Sequence, residues 1–296
     1  MHTQDSRAAL PFSNIVAGLW RLADWQLSVQ QRVRWLEQAL ELGINTFDHA
    51  DIYGDYRCQQ LFGEALAAAP QLKSQLRVVS KCGIKLTSPS KPYQLNHYDT
   101  SAAYIHQQVD TILKELQIER LDLLLIHRPD ALMAPAALAD TANELINAGK
   151  IARFGVSNHS CSQFALLDQY IPLATNQVEM SLLNNTVLDD GTLDQCQQVG
   201  IRPMLWSPLG GGRLFNGQDP QAQRVRQQAS RMAAELGVSI ATLAYAWLLR
   251  HPSRPLPITG SGRITALAEA TAAEQLHLSN EQWYQLWVAS RGHDVP

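Results

Sequence analysis

Four side chains of complementary chemistry stand in the first half of the chain: Asp48, Tyr53, Lys81 and His127. A phenol ionises at about pH 10, so it is a poor proton donor at neutral pH unless a cation stabilises its phenolate. Lys81 can supply that charge, Asp48 can hold the ammonium in place, and His127 can orient or donate to a carbonyl oxygen. Protonating a carbonyl oxygen is half of a reduction. The other half is hydride, which has no side-chain source, so the set implies a nicotinamide or a flavin. An arbitrary Asp and Lys would more simply form a structural ion pair, and a lone His after an apolar run is more often an interior residue. Their order and placement, with Tyr53 five residues after Asp48, favour the chemical reading. His49 and His159 keep the interior reading, and Cys82, beside Lys81, is read as structural because nothing activates its thiol.

The elements that would bring these residues together are eight short apolar or β-branched runs: Ile15–Leu19, Ile44–Phe47, Arg77–Ser80, Leu121–Ile126, Arg153–Val156, Thr175–Val178, Pro203–Trp206 and Leu256–Ile258. Between them lie segments with helical spacing of apolar residues, such as Ser28–Leu42, Cys58–Ala69, Thr100–Leu116 and Ala136–Ala148. Ser28 reads as an N-cap, and Gly43, Gly149, Gly200 and Gly237 read as helix stops. Eight strand–helix units of about 37 residues predict an α/β fold, a single (β/α)8 TIM barrel spanning residues 1–296 as one domain. An open doubly wound sheet is the rival, but no Gly-x-Gly-x-x-Gly follows the first run. Polar residues follow nearly every run, and in a parallel barrel all of those ends share one face. Two connections are long, Leu86–Asp99 and Ser207–Pro220, as expected where barrel enzymes build their sites.

Composition narrows the classes. The 296 residues carry 24 basic and 27 acidic side chains, a net charge of −3, and 46% are hydrophobic. A chain of that kind buries a large core, and without a block of like charge it offers neither a nucleic-acid arm nor a polybasic membrane patch. The four cysteines are scattered with no Cys-x-x-Cys pair, which argues against a zinc finger or disulfide scaffold and for a reducing compartment. Met1–Leu10 lacks the pattern of a secretory signal, and the longest apolar run, Ile240–Leu249, is too short to span a membrane. The expectation is a cytoplasmic monomer with no metal, no nucleic-acid partner and no membrane partner.

Six blocks in order then carry a resemblance: Asp48-x-Ala-x-x-Tyr53-Gly54, Lys81, Leu125-Ile126-His127, Ser157-Asn158, Asn176-Gln177-x-Glu179 and Trp206-Ser207-Pro208-Leu209. Together they resemble the aldo-keto reductase superfamily over roughly residues 12–275, and within it the bacterial YdhF-type oxidoreductases. The resemblance implies a barrel that binds extended NADPH and an NADP(H)-dependent oxidoreductase of the EC 1.1.1 type that reduces an aldehyde or ketone. It implies Tyr53 as proton donor, tuned by Lys81 and Asp48, with His127 orienting the small-molecule carbonyl. Carried over by position, Ser157, Asn158 and Gln177 would bind the carboxamide and Trp206 would stack on the nicotinamide. Ser207, Leu209, Gly210 and Arg213 would follow the pyrophosphate, with Arg21 nearby, and Trp20 would line the substrate pocket.

The last cofactor block departs from the family's pattern. Where the family commonly has Lys-Ser, then an Arg, then Glu-Asn, this chain has Gly260, Ser261, Ala266, Glu269 and Ala270. Ser261 and Glu269 keep their places, and Arg263 stands three residues nearer than the usual Arg as the replacement clamp for a 2′-phosphate. NADP(H) is therefore expected, with NAD(H) as the alternative. Two other functional readings stay open: a cofactor-sensing subunit resembling potassium-channel beta subunits with little turnover, and a sugar-binding barrel without redox chemistry. Tyr93, His97 and Tyr98 in the first long loop would suit a polar or aromatic aldehyde. Trp283 and Trp287, four residues apart, read as a packing stripe, while Trp25 and Tyr56 suit either a pocket wall or loop packing.

Overall fold

The computed structural model describes residues 10–89 and 91–296. The Met1–Leu10 reading therefore falls outside the described residues except at its last position. Ten strands form: β1 (Val16–Gly18), β2 (Thr46–Asp48), β3 (Arg77–Cys82), β4 (Ile84–Lys85), β5 (His97–Tyr98), β6 (Leu123–Ile126), β7 (Phe154–Ser157), β8 (Asn176–Glu179), β9 (Met204–Trp206) and β10 (Leu256–Thr259). Eight of them close a parallel barrel in the order β1-β10-β9-β8-β7-β6-β3-β2. The ring is completed by Val16 opposite Ile258 and Ala17 opposite Phe47. All eight runs read from the sequence are barrel strands.

The helices are α1 (Val29–Glu41), α2 (Tyr53–Tyr56), α3 (Cys58–Ala68), α4 (Ala102–Leu116), α5 (Pro135–Asn147), α6 (Cys161–Asp168), α7 (Thr192–Val199), α8 (Arg213–Asn216), α9 (Pro220–Leu236), α10 (Ile240–Leu249), α11 (Ile264–Ala272) and α12 (Asn280–Arg291). Ser28 caps α1 with a reciprocal capping box, its side chain accepting from Gln31 N while Gln31 Oε1 accepts from Ser28 N. The expected stop glycines end their helices with positive φ, 80° at Gly43 and 68° at Gly237 among them.

Strand period explains why apolar runs end in chemistry. Alternate residues face the barrel interior, where Val16, Val79, Leu123, Leu125, Met204, Leu256 and Ile258 pack into one core above Phe12. Phe47, Val78, Leu124, Ile126, Phe154, Val156 and Leu205 face the larger cluster under the helices. On four strands one further step of two brings a functional side chain to the mouth: Val79 leads to Lys81, Leu125 to His127, Met204 to Trp206 and Thr46 to Asp48. Close packing at two glycines keeps this interior filled. A Cβ on Gly155 would stand 2.9 Å from Leu125 Cδ2, and one on Gly18 would stand 2.7 Å from Ile258 Cγ2.

Two features lie outside the barrel pattern. Across the first long connection, β4 and β5 pair antiparallel, Ile84 with Tyr98 and Lys85 with His97, and Lys85 forms an ion pair with Asp99. At the other end of the chain, α12 is latched to α10: Trp247 and Trp283 stack with centroids 5.0 Å apart and planes 10° apart. Each indole Nε1 donates to the other residue's carbonyl, at 3.1 and 3.0 Å. Trp287 extends this cluster as the expected stripe, 5.6 Å from Trp283. Among the described residues no single helix is long and apolar enough to cross a membrane; α9 and α10 together would be, but they are bent by 95°, and α10 is buried along most of its length.

Candidate active site

At the C-terminal mouth of the barrel, Lys81 Nζ spends its three protons on protein. It donates to Asp48 Oδ2 at 2.7 Å, to the His49 carbonyl at 2.7 Å and to Tyr53 Oη at 3.0 Å. Lys81 is wholly buried and Asp48 almost so. A buried ion pair persists only when its remaining hydrogen bonds are satisfied, and here Asp48 Oδ1 also accepts from Gln177 Nε2 at 2.8 Å. Tyr53 stands on the turn after β2, its ring 5.9 Å from that of His127 and nearly perpendicular to it.

The electrostatics set each proton. Burial raises the Tyr53 phenol above its ordinary range, and Lys81 opposes this without cancelling it. Lys81 does favour the phenolate, as the sequence reading has it, but burial outweighs that pull and Tyr53 keeps its proton. Burial works against the Lys81 ammonium, yet attraction to Asp48 and Tyr53 leaves its pKa raised, so it stays charged. Burial, then repulsion by Lys81 and Arg128, drives His127 well below its ordinary range, so the imidazole is neutral. Its Nδ1 is buried without a partner among the described residues. The arrangement thus presents a protonated phenol backed by a cation, beside a neutral imidazole.

The backbone that carries Tyr53 is held from both sides. Asp51 Oδ1 accepts from Ile52 N at 2.8 Å and Oδ2 from Gln108 Nε2 on α4 at 3.3 Å. Burial pushes the Asp51 carboxyl up to about 8. After Tyr53 the chain runs left-handed for three residues, so α2 is a tight turn rather than a regular helix, with φ of 58° at Gly54, 56° at Asp55 and 63° at Tyr56. Such backbone costs about 1–3 kcal/mol per non-glycine residue. It is fastened by Tyr56, whose hydroxyl donates to Leu86 O at 3.1 Å and accepts from Leu86 N at 2.9 Å. Tyr56 therefore serves loop packing. The interior reading of His49 and His159 also fits: both are buried, and burial lowers His49 to about 3.

A cavity of about 960 Å³ opens above this set. Asp48, Tyr53, His127 and Trp20 line one part of it; Ser157, Asn158, Gln177, Trp206, Ser207, Leu209 and Gly210 line the other, followed by Ser261, Arg263 and Glu269, with Arg21 at the wall. Lys81 lies beneath the surface, in contact with Tyr53. Arg213 is the one expected cofactor contact not on the cavity; its guanidinium is engaged by Asp219 at 3.0 Å and Gln221 at 3.3 Å. Sequence reading missed Arg128 and Glu179 as lining residues, although both stand at strand ends where interior polar residues were sought.

The second half of the cavity fits a dinucleotide. Trp206 Nε1 donates to Asn158 Oδ1 at 3.0 Å, Asn158 Nδ2 to Ser157 Oγ at 2.7 Å, and Ser157 Oγ to Gln177 O at 2.8 Å. Gln177 joins the two sets, its backbone carbonyl accepting from Ser157 and its side chain donating to Asp48. Asn158 and Ser207 hold left-handed backbone, φ 57° and 53°, as residues poised at ligand sites often do. Gly210, Gly211 and Gly212 have φ of 60°, 65° and 99°, and a Cβ on Gly211, Gly212 or Gly260 would meet nothing within 4 Å. That bare backbone leaves room for a phosphate or ribose to approach closely. Arg263, at the N-cap of α11, makes no ion pair among the described residues, so its charge is available.

The profile of the "Aldo/keto reductase family" matches residues 14–288. The chain belongs to this family. It is 48% identical to oxidoreductase YdhF of Escherichia coli, over 96% of each chain. It is 36% identical to a 6-dehydroglucose reductase of Agrobacterium fabrum, over 97% of each. An aldo/keto reductase from Klebsiella pneumoniae, solved in complex with NADP and acetate, superposes with a TM-score of 0.77 at 27% identity, covering 96% of this chain and 93% of that one. Membership accords with the closed barrel and with the order of the motifs along it.

Proposed function

We propose that this aldo-keto reductase uses NADP(H) to reduce the carbonyl of a small aldehyde or ketone to an alcohol. The observation that carries the reading is Lys81 Nζ, 3.0 Å from Tyr53 Oη inside a buried ion pair with Asp48. When bound, the nicotinamide supplies hydride. Tyr53 Oη holds the proton that the carbonyl oxygen receives, and Lys81 stabilises the phenolate left behind, which regains a proton from solvent. The neutral His127 orients the carbonyl oxygen without competing for that proton. Asp48 keeps the ammonium fixed so that little reorganisation accompanies proton transfer.

The same reading assigns the cofactor's holders. Ser157, Asn158 and Gln177 would hold the carboxamide and Trp206 the ring face. Ser207, Leu209 and the backbone of Gly210–Gly212 would follow the pyrophosphate with Arg21, while Ser261, Arg263 and Glu269 would take the adenosine end, Arg263 on the 2′-phosphate. Arg213 is kept from the phosphates by Asp219 and would steady the loop instead. Titration with NADPH and NADH, followed by tryptophan quenching, tests the assignment. Tighter binding of NADPH, together with carbonyl-dependent consumption of NADPH, is the expected result. Binding of neither dinucleotide overturns it.

A further inference from the structure

Two charged groups on the cavity, Arg128 and Glu179, are not used by the proposed reaction, and no ion pair joins them among the described residues. Arg128 follows His127 directly at the end of β6 and lines the cavity. Its guanidinium lies 5.8 Å from the centroid of the Trp206 ring, and it makes no ion pair among the described residues. Its charge is close enough to the reacting centre to act on both Tyr53 and His127. The apolar side chains of Ile52, Ile84 and Leu86 line the same cavity and offer the guanidinium no oxygen, and the Glu179 carboxylate, also on the lining, makes no ion pair with it among the described residues. A guanidinium resting only on an aromatic face keeps most of its donors in reserve, and its planar fork suits two oxygens held side by side.

We propose that Arg128 selects carbonyl substrates that present paired oxygens near the reacting carbonyl, a vicinal diol or a carboxylate, over hydrocarbon aldehydes. The proposal rests on the carbonyl-reductase reading above and deepens it. A hydrocarbon tail would cover Arg128 while leaving its donors unsatisfied, which is costly in a partly dry site. A diol or carboxylate would satisfy two of them at once. Both sources share the acceptor geometry, and they differ in charge: a carboxylate gains from any cation at this place, whereas a diol needs the fork.

The test compares butanal, glyceraldehyde and succinic semialdehyde as substrates of the full chain with NADPH, in the wild type and in Arg128→Met and Arg128→Lys. In Arg128→Met, kcat/KM for at least one of the two oxygenated aldehydes is expected to fall roughly tenfold to a hundredfold further than for butanal. NADPH affinity by tryptophan quenching is expected to stay unchanged. Arg128→Lys then separates the sources, since a recovered semialdehyde activity marks a carboxylate and a persistent loss on glyceraldehyde marks a diol. Equal losses on all three aldehydes, or a loss explained by weaker NADPH binding, overturn the role of Arg128. A wild-type chain that binds no NADPH fails the reaction itself, and a chain that binds it and reduces butanal alone fails only the Arg128 proposal.

Discussion

The two halves of the cavity are built on opposite terms. Around Tyr53 the charges of the buried set are already answered by protein: Lys81 by Asp48, Tyr53 and a carbonyl, and Asp48 by Gln177 as well; Arg128 is the exception. On the cofactor side Gly210–Gly212 hold left-handed backbone, Gly211, Gly212 and Gly260 are bare, and Arg263 has no carboxylate partner among the described residues. The first half is organised before anything binds, while the second offers groups that only a ligand would satisfy. Preorganised charge is what makes a reaction site effective, whereas unanswered donors and open backbone are what make a binding site responsive.

The sharpest way to break this contrast is Lys81→Met. It leaves Asp48 buried beside an uncharged chain, and removing one partner of such a pair costs about 3–5 kcal/mol of stability. Denaturant unfolding should show that loss, and turnover should vanish with it. Tyr53→Phe is the gentler cut, since it keeps the ion pair and removes only the transferable proton. It is expected to lower turnover by roughly 10²–10³ with NADPH affinity intact. Undiminished turnover would remove Tyr53 from the proton path.

A third test uses pH. Asp51 holds its proton up to about 8 in the folded chain against an ordinary value of 3.8. The folded state therefore binds that proton more tightly than the unfolded state does. This contribution to stability is complete below the ordinary value and drains away as pH rises towards about 8. Asp51→Asn should flatten that slope, with its melting temperature falling less than the wild type's between about pH 5 and about pH 8. Parallel melting curves would show that Asp51 does not titrate there. The smallest effects should fall on the ligand-dependent half. Arg263→Ala is expected to weaken NADPH roughly tenfold and NADH hardly at all. Arg213→Ala, whose partner is Asp219 rather than a phosphate, should change either affinity by no more than about twofold.

Most of both halves was legible, and for the buried set the reason is strand period. Interior strand positions alternate strictly, so a polar residue two places beyond an apolar one had to face the barrel mouth, as Lys81 follows Val79 and His127 follows Leu125. Arg128 obeyed a looser rule, standing just past the strand where period no longer fixes direction. The pairing of Arg213 with Asp219 was hidden because an arginine after a glycine run suits a phosphate and a carboxylate equally. The β4–β5 pair could not be read from two-residue strands whose second member is exposed. Nor did residue type foretell the left-handed turn at Asp55 and Tyr56, since that strain is held by Leu86, thirty positions away. The sign of the Tyr53 shift depended on burial, which has no one-dimensional signature.

The stacked pair of Trp247 and Trp283 has a spectroscopic consequence. Two indoles 5.0 Å apart and almost parallel share their electronic transitions, so they should give a coupled near-ultraviolet dichroism signal. That signal reports the docking of α12 on α10. Trp206 and Trp20 border the cavity instead, and their emission should answer to a dinucleotide. One molecule thus carries its own reference channel and its own sensor, allowing loss of ligand and loss of fold to be told apart in a single cuvette.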